Sequence, residues 1–354
     1  FKIEEVLQWQ SQKEIDPLKL EELKDETENL YPFYGQPTIN NGIISYNQLT
    51  KKVLNNKLGK PTILIHSNNQ NIIYLETPFY LKDGHGATSV LQCEELNSTN
   101  QMFIIASIER IIKTKYSYNT KATKIELKNT IIKLPIKNDK IDFVFMESFI
   151  SELNLERMNM LNAYLIASDL KNYNLTNKEK QILEDFENDK ITFGSFTYKN
   201  IFNKIKQGRR LKKDDQIYGE IPFVMAGVTN TGVVNYISNP VASFPKNSIT
   251  IDIFGNTFYR NYEYGAGDDT GVYWSSDTEY SKEIMLFFTT SMEKSIFGKF
   301  DYGNKLRSSQ SFDFTMQLPI FNKKPDFETM ETFISAILKL VIKDVVLYVN
   351  KKLE

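Results

Sequence analysis

Six cationic side chains lie within ten residues near the middle of the chain, and they are its clearest candidates for a binding function. Ammonium and guanidinium groups at this density can neutralise a row of phosphates. Only two carboxylates, Asp214 and Asp215, stand at the far edge of the segment. A solvated surface loop is the alternative interpretation of such a charge run. The six are Lys204, Lys206, Arg209, Arg210, Lys212 and Lys213.

Two further segments, 115–124 and 299–310, combine basic, aromatic, amide and hydroxyl side chains. Such side chains have the hydrogen-bond donors and acceptors that can distinguish base edges. The chain as a whole has 43 basic and 44 acidic residues and a formal net charge of −1. Any nucleic-acid surface is therefore expected to be local.

Acidic pairs offer a different chemistry. Asp214-Asp215 and Asp268-Asp269 could bind a metal or act in acid/base catalysis, and with His85 they keep a metal-dependent hydrolase open as an alternative. Adjacent carboxylates in polar loops are more often solvated turn residues, and neither pair has a repeated partner. The N-P-P-[FY] and D-P-P-Y tetrapeptides of amino methyltransferases are missing from the sequence. We predict a noncatalytic chain without a metal site.

An internal duplication organises the elements that must position these residues. Leu134-Pro135-Ile136 and the Met146-Glu147 and Phe149-Ile150-Ser151 stretches that follow it recur 184 residues later, beginning at Leu318. Further upstream, Pro32-Phe33 recurs 190 residues later as Pro222-Phe223. Repetition at a nearly constant interval indicates two homologous halves with small loop insertions.

Each half has the pattern of a mostly β module followed by a helix. Asn41-Gly42 and its counterpart Thr231-Gly232 predict hairpin turns, and short Ile-rich runs predict strands at 62–66 and 249–253. Apolar residues at helical spacing predict helices over 101–113 and 283–297. Thr176 to Glu179 matches a capping box. Long helical patterns follow each module, from Asp139 and from Phe327.

We therefore predict an α+β fold with two pseudo-symmetric mixed α/β domains, separated by antiparallel, coiled-coil-like spacer helices. The predicted division is a first domain over 1–137, spacer helices over 138–190, a second domain over 191–322 and a second spacer helix over 323–354. One cysteine rules out a disulfide framework, and two histidines leave little material for a histidine-rich metal site. The sequence lacks an apolar run of about 18 residues, so we expect no membrane span and a cytoplasmic location.

These patterns resemble the tandem target-recognition repeats of type I restriction-modification DNA-specificity subunits over nearly the whole chain. In each half a Pro-Phe strand, an Asn-Gly or Thr-Gly turn, an Ile-rich strand and a Leu-Pro-Ile strand lead into a Met-Glu-x-Phe-Ile helix. Asn247 to Ile251, Phe254-Gly255-Asn256 and Lys305-Leu306-Arg307 are especially similar to that family. The helical region with Arg157 and Tyr164-Leu165 looks more like the variant found in type IIG and IIB systems.

The resemblance implies a noncatalytic subunit in which each domain reads one part of a bipartite site on double-stranded DNA. It also implies that the helices dock methyltransferase subunits, which use S-adenosylmethionine to methylate adenine, and that a restriction or translocase subunit is a further partner. No cofactor is expected in this chain itself. An alternative is that the chain is the C-terminal recognition portion of a longer restriction-methyltransferase, which its start at Phe1 permits.

Recognition roles are carried over only onto matching loops. The predicted phosphate contacts are Arg209, Arg210, Lys212 and Lys213. The other predicted DNA-binding residues are Asn40, Asn41, Lys115, Tyr118, Lys121, Lys124, Thr229, Asn230, Lys305, Arg307, Ser308, Ser309 and Gln310.

Overall fold

A computed structural model describes residues 1–117, 119–239 and 243–354. The chain divides into two compact units, 1–160 and 161–352. The predicted division into four segments is finer than this and stays a prediction. Among the described residues, no helix combines the length and apolar character that a membrane crossing needs.

The first unit contains two four-stranded sheets. One has the order β1-β8-β5-β6 with antiparallel neighbours, and the other has the order β2-β7-β3-β4. A short β9-β10 hairpin follows. The strands are β1 Gln8–Trp9, β2 Glu14–Ile15, β3 Tyr31–Tyr34, β4 Ile43–Asn47, β5 Thr62–His66, β6 Ile72–Leu75, β7 Tyr80–Lys82, β8 Thr88–Gln92, β9 Ile136–Lys137 and β10 Lys140–Ile141.

Strand β5 is buried along its whole length because both of its faces are covered. Ile63 and Ile65 pack with Ile104 and Ile108 of a helix on one side. Leu64 packs with residues of the second sheet on the other. This layering explains why the strand has a continuous apolar run rather than an alternating pattern. The helices are α1 Ile3–Val6, α2 Gln101–Lys115, α3 Lys124–Lys128 and α4 Phe143–Ala167, the last of which continues past the division at residue 160.

The second unit repeats this plan. Its sheets have the orders β12-β19-β16-β17 and β14-β13-β18-β15, and β11-β20-β21 forms a third. The helices are α5 Asn177–Glu187, α6 Tyr198–Ile201, α7 Lys282–Ile296 and α8 Phe327–Leu353. The strands are β11 Phe193–Thr197, β12 Lys204–Gln207, β13 Tyr218–Val224, β14 Val233–Ile237, β15 Ser243–Phe244, β16 Ser248–Asp252, β17 Thr257–Arg260, β18 Tyr264–Ala266, β19 Thr270–Trp274, β20 Thr315–Phe321 and β21 Lys324–Pro325.

Helix α5 is fastened to α8 within this unit by a nearly buried carboxylate. Glu179 accepts hydrogen bonds from Lys339 Nζ at 2.8 Å and Ser335 Oγ at 2.7 Å. It also completes the predicted capping box, because Thr176 N donates to Glu179 Oε2 at 2.7 Å. Burial alone would raise the pKa of Glu179, but these hydrogen bonds outweigh it and lower the pKa to about 2.

The duplication and the predicted hairpins, strands and helices are confirmed, with two local differences. The sheet edge next to β7 is formed by β2, which precedes the hairpin in sequence and runs parallel to β7. The corresponding edge next to β18 is formed by β15, which follows the hairpin and runs antiparallel to β18. The Leu-Pro-Ile segment lies in a long strand only in the second unit, where β20 pairs with β11. The segment of the first unit that corresponds to β11 ends in Lys2, which forms a single bridge with Ile131.

Candidate nucleic-acid interface

The tip of each hairpin places two consecutive residues in the left-handed backbone region. In the first unit these are Asn40 and Asn41, with φ of 49° and 50°. In the second they are Asn230 and Thr231, with φ of 47° and 52°. A side-chain amide supports each turn, since Asn40 Nδ2 donates to Ile43 O at 3.2 Å and Asn230 Nδ2 to a matching carbonyl at 3.4 Å. Both tips are exposed, as a surface that reads DNA requires.

The predicted DNA-binding residues of the second tip, Thr229 and Asn230, lie one position earlier in the turn than Asn40 and Asn41 of the first. Asn40 corresponds to Asn230 and Asn41 to Thr231, so Thr229 occupies the place of Ile39. Thr231, the structural counterpart of Asn41, was not among the predicted residues. The sequence could have identified this correspondence, because the interval of 190 residues already aligned the glycines of the two turns. A β-branched residue in this backbone region is a rare and strained choice, unlike asparagine.

The second unit brings two of the predicted cationic segments together around one cleft of about 730 Å³. Hairpin residues Val234 and Asn235 form part of its wall, and Asp268 and Asp269 also line it. The cations that line it are Arg210, Lys212, Lys213, Lys305 and Arg307.

The basic segment is anchored by its backbone, which leaves the cationic groups outside. Arg209 N donates to Ala266 O at 2.8 Å, and Gly208 N donates to Thr270 O at 2.9 Å. A Cβ at Gly208 would lie 2.2 Å from Gly267 O, so only glycine fits this approach. At the other end of the segment, Asn235 Nδ2 donates to Gln216 Oε1 at 2.8 Å and connects it to the hairpin.

The cationic side chains of this cleft have no carboxylate partner within 4.0 Å among the residues that the structure describes. The carboxylate of Asp269 is used internally, because its Oδ2 accepts from Ala226 N at 3.0 Å. Asp252, which is buried, likewise accepts from Gly227 N at 3.0 Å. Both acids therefore brace the strand end that leads to the hairpin tip, and the cations remain available to an external anion.

The predicted second recognition loop is only partly exposed. Lys305 Nζ lies 4.5 Å from the centre of the Tyr302 ring, and Arg307 Nη1 donates to Asp268 O at 2.6 Å. Ser309 and Gln310 are exposed, although Gln310 Oε1 accepts from the backbone of Arg307 at 2.9 Å. Ser308 is buried and begins the short 3-10 turn Ser308–Gln310, so its position serves the turn rather than a surface.

The corresponding loop of the first unit has a different structure. Lys124 begins helix α3 rather than lying in a loop, and Lys121 is exposed. Lys115 Nζ lies 3.7 Å from Glu126 Oε2, and its hydrogen bond with the Tyr116 side chain raises the pKa of Lys115. The predicted contact Tyr118 lies outside the described residues.

The cleft beside the first hairpin also differs in charge from the one in the second unit. It measures about 540 Å³, and Lys82 is the cation among its lining residues, beside Asp83. Glu14 Oε2 accepts from Gly84 N and Gly86 N at 3.1 Å each. The segment that leads to this hairpin, 10–30, is rich in carboxylates, whereas the matching segment in the second unit is basic.

The residues proposed for a hydrolase do not form a site. In the first unit, the His85 side chain is 94% exposed beside Asp83. Asp214 and Asp215 lie exposed in a 3-10 turn. Within 1–117, 119–239 and 243–354, no group of three or more histidine, cysteine or acidic residues is arranged to hold a metal. His66 is buried, and burial lowers its pKa to about 4.

Comparisons with known proteins identify the family of the chain. The family model of the type I restriction-modification DNA-specificity domain matches residues 1–163 and 168–347, one match for each half. The specificity subunit S.BcgI of a type II restriction enzyme from Heyndrickxia coagulans is 27% identical over 256 residues, which cover 70% of this chain and 69% of that protein.

A solved structure supports the fold. The S subunit of a type I restriction-modification system from M. genitalium superposes with a TM-score of 0.61 at 15% identity, covering 100% of this chain and 91% of that one. The solved structure confirms the mixed α/β repeat fold. The family match and the named specificity subunit confirm the resemblance and the noncatalytic role, and the hydrolase alternative is not favoured. The chain belongs to the type I restriction-modification DNA-specificity family, whose members are noncatalytic specificity subunits.

Proposed function

We propose that this chain reads a bipartite site on double-stranded DNA, with each unit contacting one half of the site. The observation that supports this most directly is the cleft of the second unit. There, cations from two separate segments lie beside the hairpin residues Val234 and Asn235 and have no carboxylate partner among the described residues. Two copies of one module in a single chain fit a site with two parts.

Each class of residue has a distinct task in this proposal. Arg210, Lys212 and Lys213 neutralise phosphates, which gives affinity but no sequence preference. Asn40, Asn41, Thr229 and Asn230 present amides and a hydroxyl at the hairpin tips, where they read base edges in a groove. Lys305 and Arg307 lie at the border of the second cleft and are placed to contact either the backbone or a guanine edge.

We further propose that the long helices dock adenine methyltransferase subunits, which supply the S-adenosylmethionine chemistry, and that a restriction or translocase subunit joins them in the cytoplasm. Apolar side chains on both helices are exposed in the isolated chain, as a docking surface requires. On α4 they include Val144, Phe145, Phe149, Leu155 and Tyr164. On α8 they include Leu340, Val341, Leu347 and Tyr348.

The kind of assembly is a separate part of the proposal. One relative is named as part of a type II enzyme and another as part of a type I system. Co-expression with the neighbouring methyltransferase, followed by a DNA-cleavage assay of the purified complex with and without a separate restriction subunit, distinguishes them. A type I assembly would accept a separate restriction subunit, whereas in a type II assembly of this kind the methyltransferase chain would itself cut DNA.

The test of DNA reading is selection from a randomised duplex library at two salt concentrations, with the chain alone and with its methyltransferase. We expect enrichment of two short motifs at a fixed spacing, in at least one of the two preparations. Binding without an enriched motif in both preparations would contradict the proposal. Substitution of Asn40 or Asn230 by alanine then assigns each motif to a unit.

A further inference from the structure

A buried arginine lies directly beneath the hairpin tip of the second unit. Arg260, the last residue of β17, is 2% exposed. Its guanidinium carbon lies 5.3 Å from the centre of the Phe258 ring and 5.8 Å from that of Tyr264. No carboxylate lies within 4.0 Å of it in the described part of the chain. Arginine stays charged when buried, so neutral acceptors must satisfy it.

Those acceptors connect the arginine to the hairpin tip. Nη2 donates to Thr231 O at 2.6 Å, and Nη1 donates to Thr231 Oγ1 at 3.1 Å. Nε donates to Thr250 Oγ1 at 3.1 Å on the neighbouring strand, and Nη1 also donates to Tyr262 Oη at 3.0 Å. One rigid planar group therefore holds both the backbone and the side chain of the strained turn residue and ties them to the sheet below.

The first unit has no such connection at the equivalent place. Arg260 pairs with Ser248 across β16 and β17, and Leu75 pairs with Thr62 across β5 and β6, so Leu75 occupies the matching position. The first tip has Asn41 where the second has Thr231. Asparagine adopts the left-handed conformation at a lower energetic cost. The first turn therefore depends less on a stabilising side-chain contact.

We propose that Arg260 is a positioning residue that determines how specifically the second unit reads DNA. The inference rests on the proposed function, because it takes the tip as the part that meets the bases. Arg260 is too deeply buried to meet DNA itself. It acts by holding Thr231, and therefore the neighbouring Asn230 and Thr229, in one orientation before DNA arrives.

The test compares base preferences of the wild-type chain and Arg260→Met in the randomised duplex library. We expect discrimination to fall about tenfold at base pairs in one half of the site, which is the scale of one well-formed base contact. Discrimination in the other half and the salt dependence of binding should not change, because the cations of the cleft are untouched. A purely structural role would instead lower affinity for every sequence alike and lower the melting temperature.

The matched control is Leu75→Met at the equivalent position of the first unit, which should keep both preferences. If Arg260→Met fails to fold, Thr250→Val decides the question, because Thr250 is buried and cannot touch DNA. Loss of that acceptor should relax the same half by about threefold. A folded variant that keeps full discrimination in both halves overturns the inference. A wild-type chain that enriches no motif overturns the proposed function instead.

Discussion

Removal of the cations of the second cleft should reduce the salt dependence of DNA binding by a calculable amount. The change is the triple substitution Arg210→Gln, Lys212→Gln and Lys213→Gln. Each side chain is exposed at the cleft without a carboxylate partner among the described residues, so each is free to neutralise one phosphate. Glutamine keeps a similar length and polarity, and the backbone anchors of the segment at Gly208 and Arg209 are unaffected.

The expected size follows from counterion release. Each lost phosphate contact lowers the slope of log K against log salt by about 0.9, so three contacts lower it by about 2.7. Between roughly 50 and 200 mM salt, the fall in affinity should therefore become about fortyfold smaller than for the wild type. Fluorescence anisotropy of a labelled duplex at four salt concentrations measures both slopes.

The control removes the same charge from another surface of the second unit. Lys343, Lys351 and Lys352 are exposed on α8 and do not line the cleft, so their replacement by glutamine should leave the slope unchanged. An unchanged slope in the cleft variant would refute the assignment of these residues as phosphate contacts. An equal loss in both variants would show that total charge, rather than the cleft, governs binding.

Three further predictions concern stability. Glu179→Gln should destabilise the second unit by about 3 kcal/mol at neutral pH, because it leaves Lys339 without its partner. Since the pKa of Glu179 falls from 4.5 to about 2 on folding, the ionised carboxylate stabilises the folded state above about pH 4.5, and this stabilisation is lost as the pH falls to about 2. Acid unfolding of the wild type and the variant measures the loss. The pKa of His66 falls from 6.5 to about 4 on folding, so the free energy of unfolding should decline by about 3 kcal/mol as the pH falls from 6.5 to 4. His66→Gln should remove the accompanying decline in melting temperature. Gly208→Ala should cost about 2 kcal/mol, since the new methyl group meets two backbone carbonyls, and a melting temperature equal to that of the wild type would contradict the close approach seen here.

Much of the architecture could be predicted from the sequence because its signals are local. The repeat interval aligned the two units, and Asn41-Gly42 predicted a hairpin because its turn needs left-handed residues. Thr176 and Glu179 predicted the start of α5, since a capping box involves only the first turn of a helix. A run of cations within ten residues is equally visible without a structure.

The tertiary structure decided which of these residues meet. Lys213 and Lys305 are far apart in sequence, and only the return of the chain after α7 places both at one cleft. No local pattern indicated that Ser308 would be buried while Ser309 stayed exposed, because neighbouring residues of a turn point in different directions. Arg260 ends an ordinary strand in the sequence. Its connection to Thr231 exists only because two sheets pack face to face and leave the guanidinium no solvent to hydrogen-bond with.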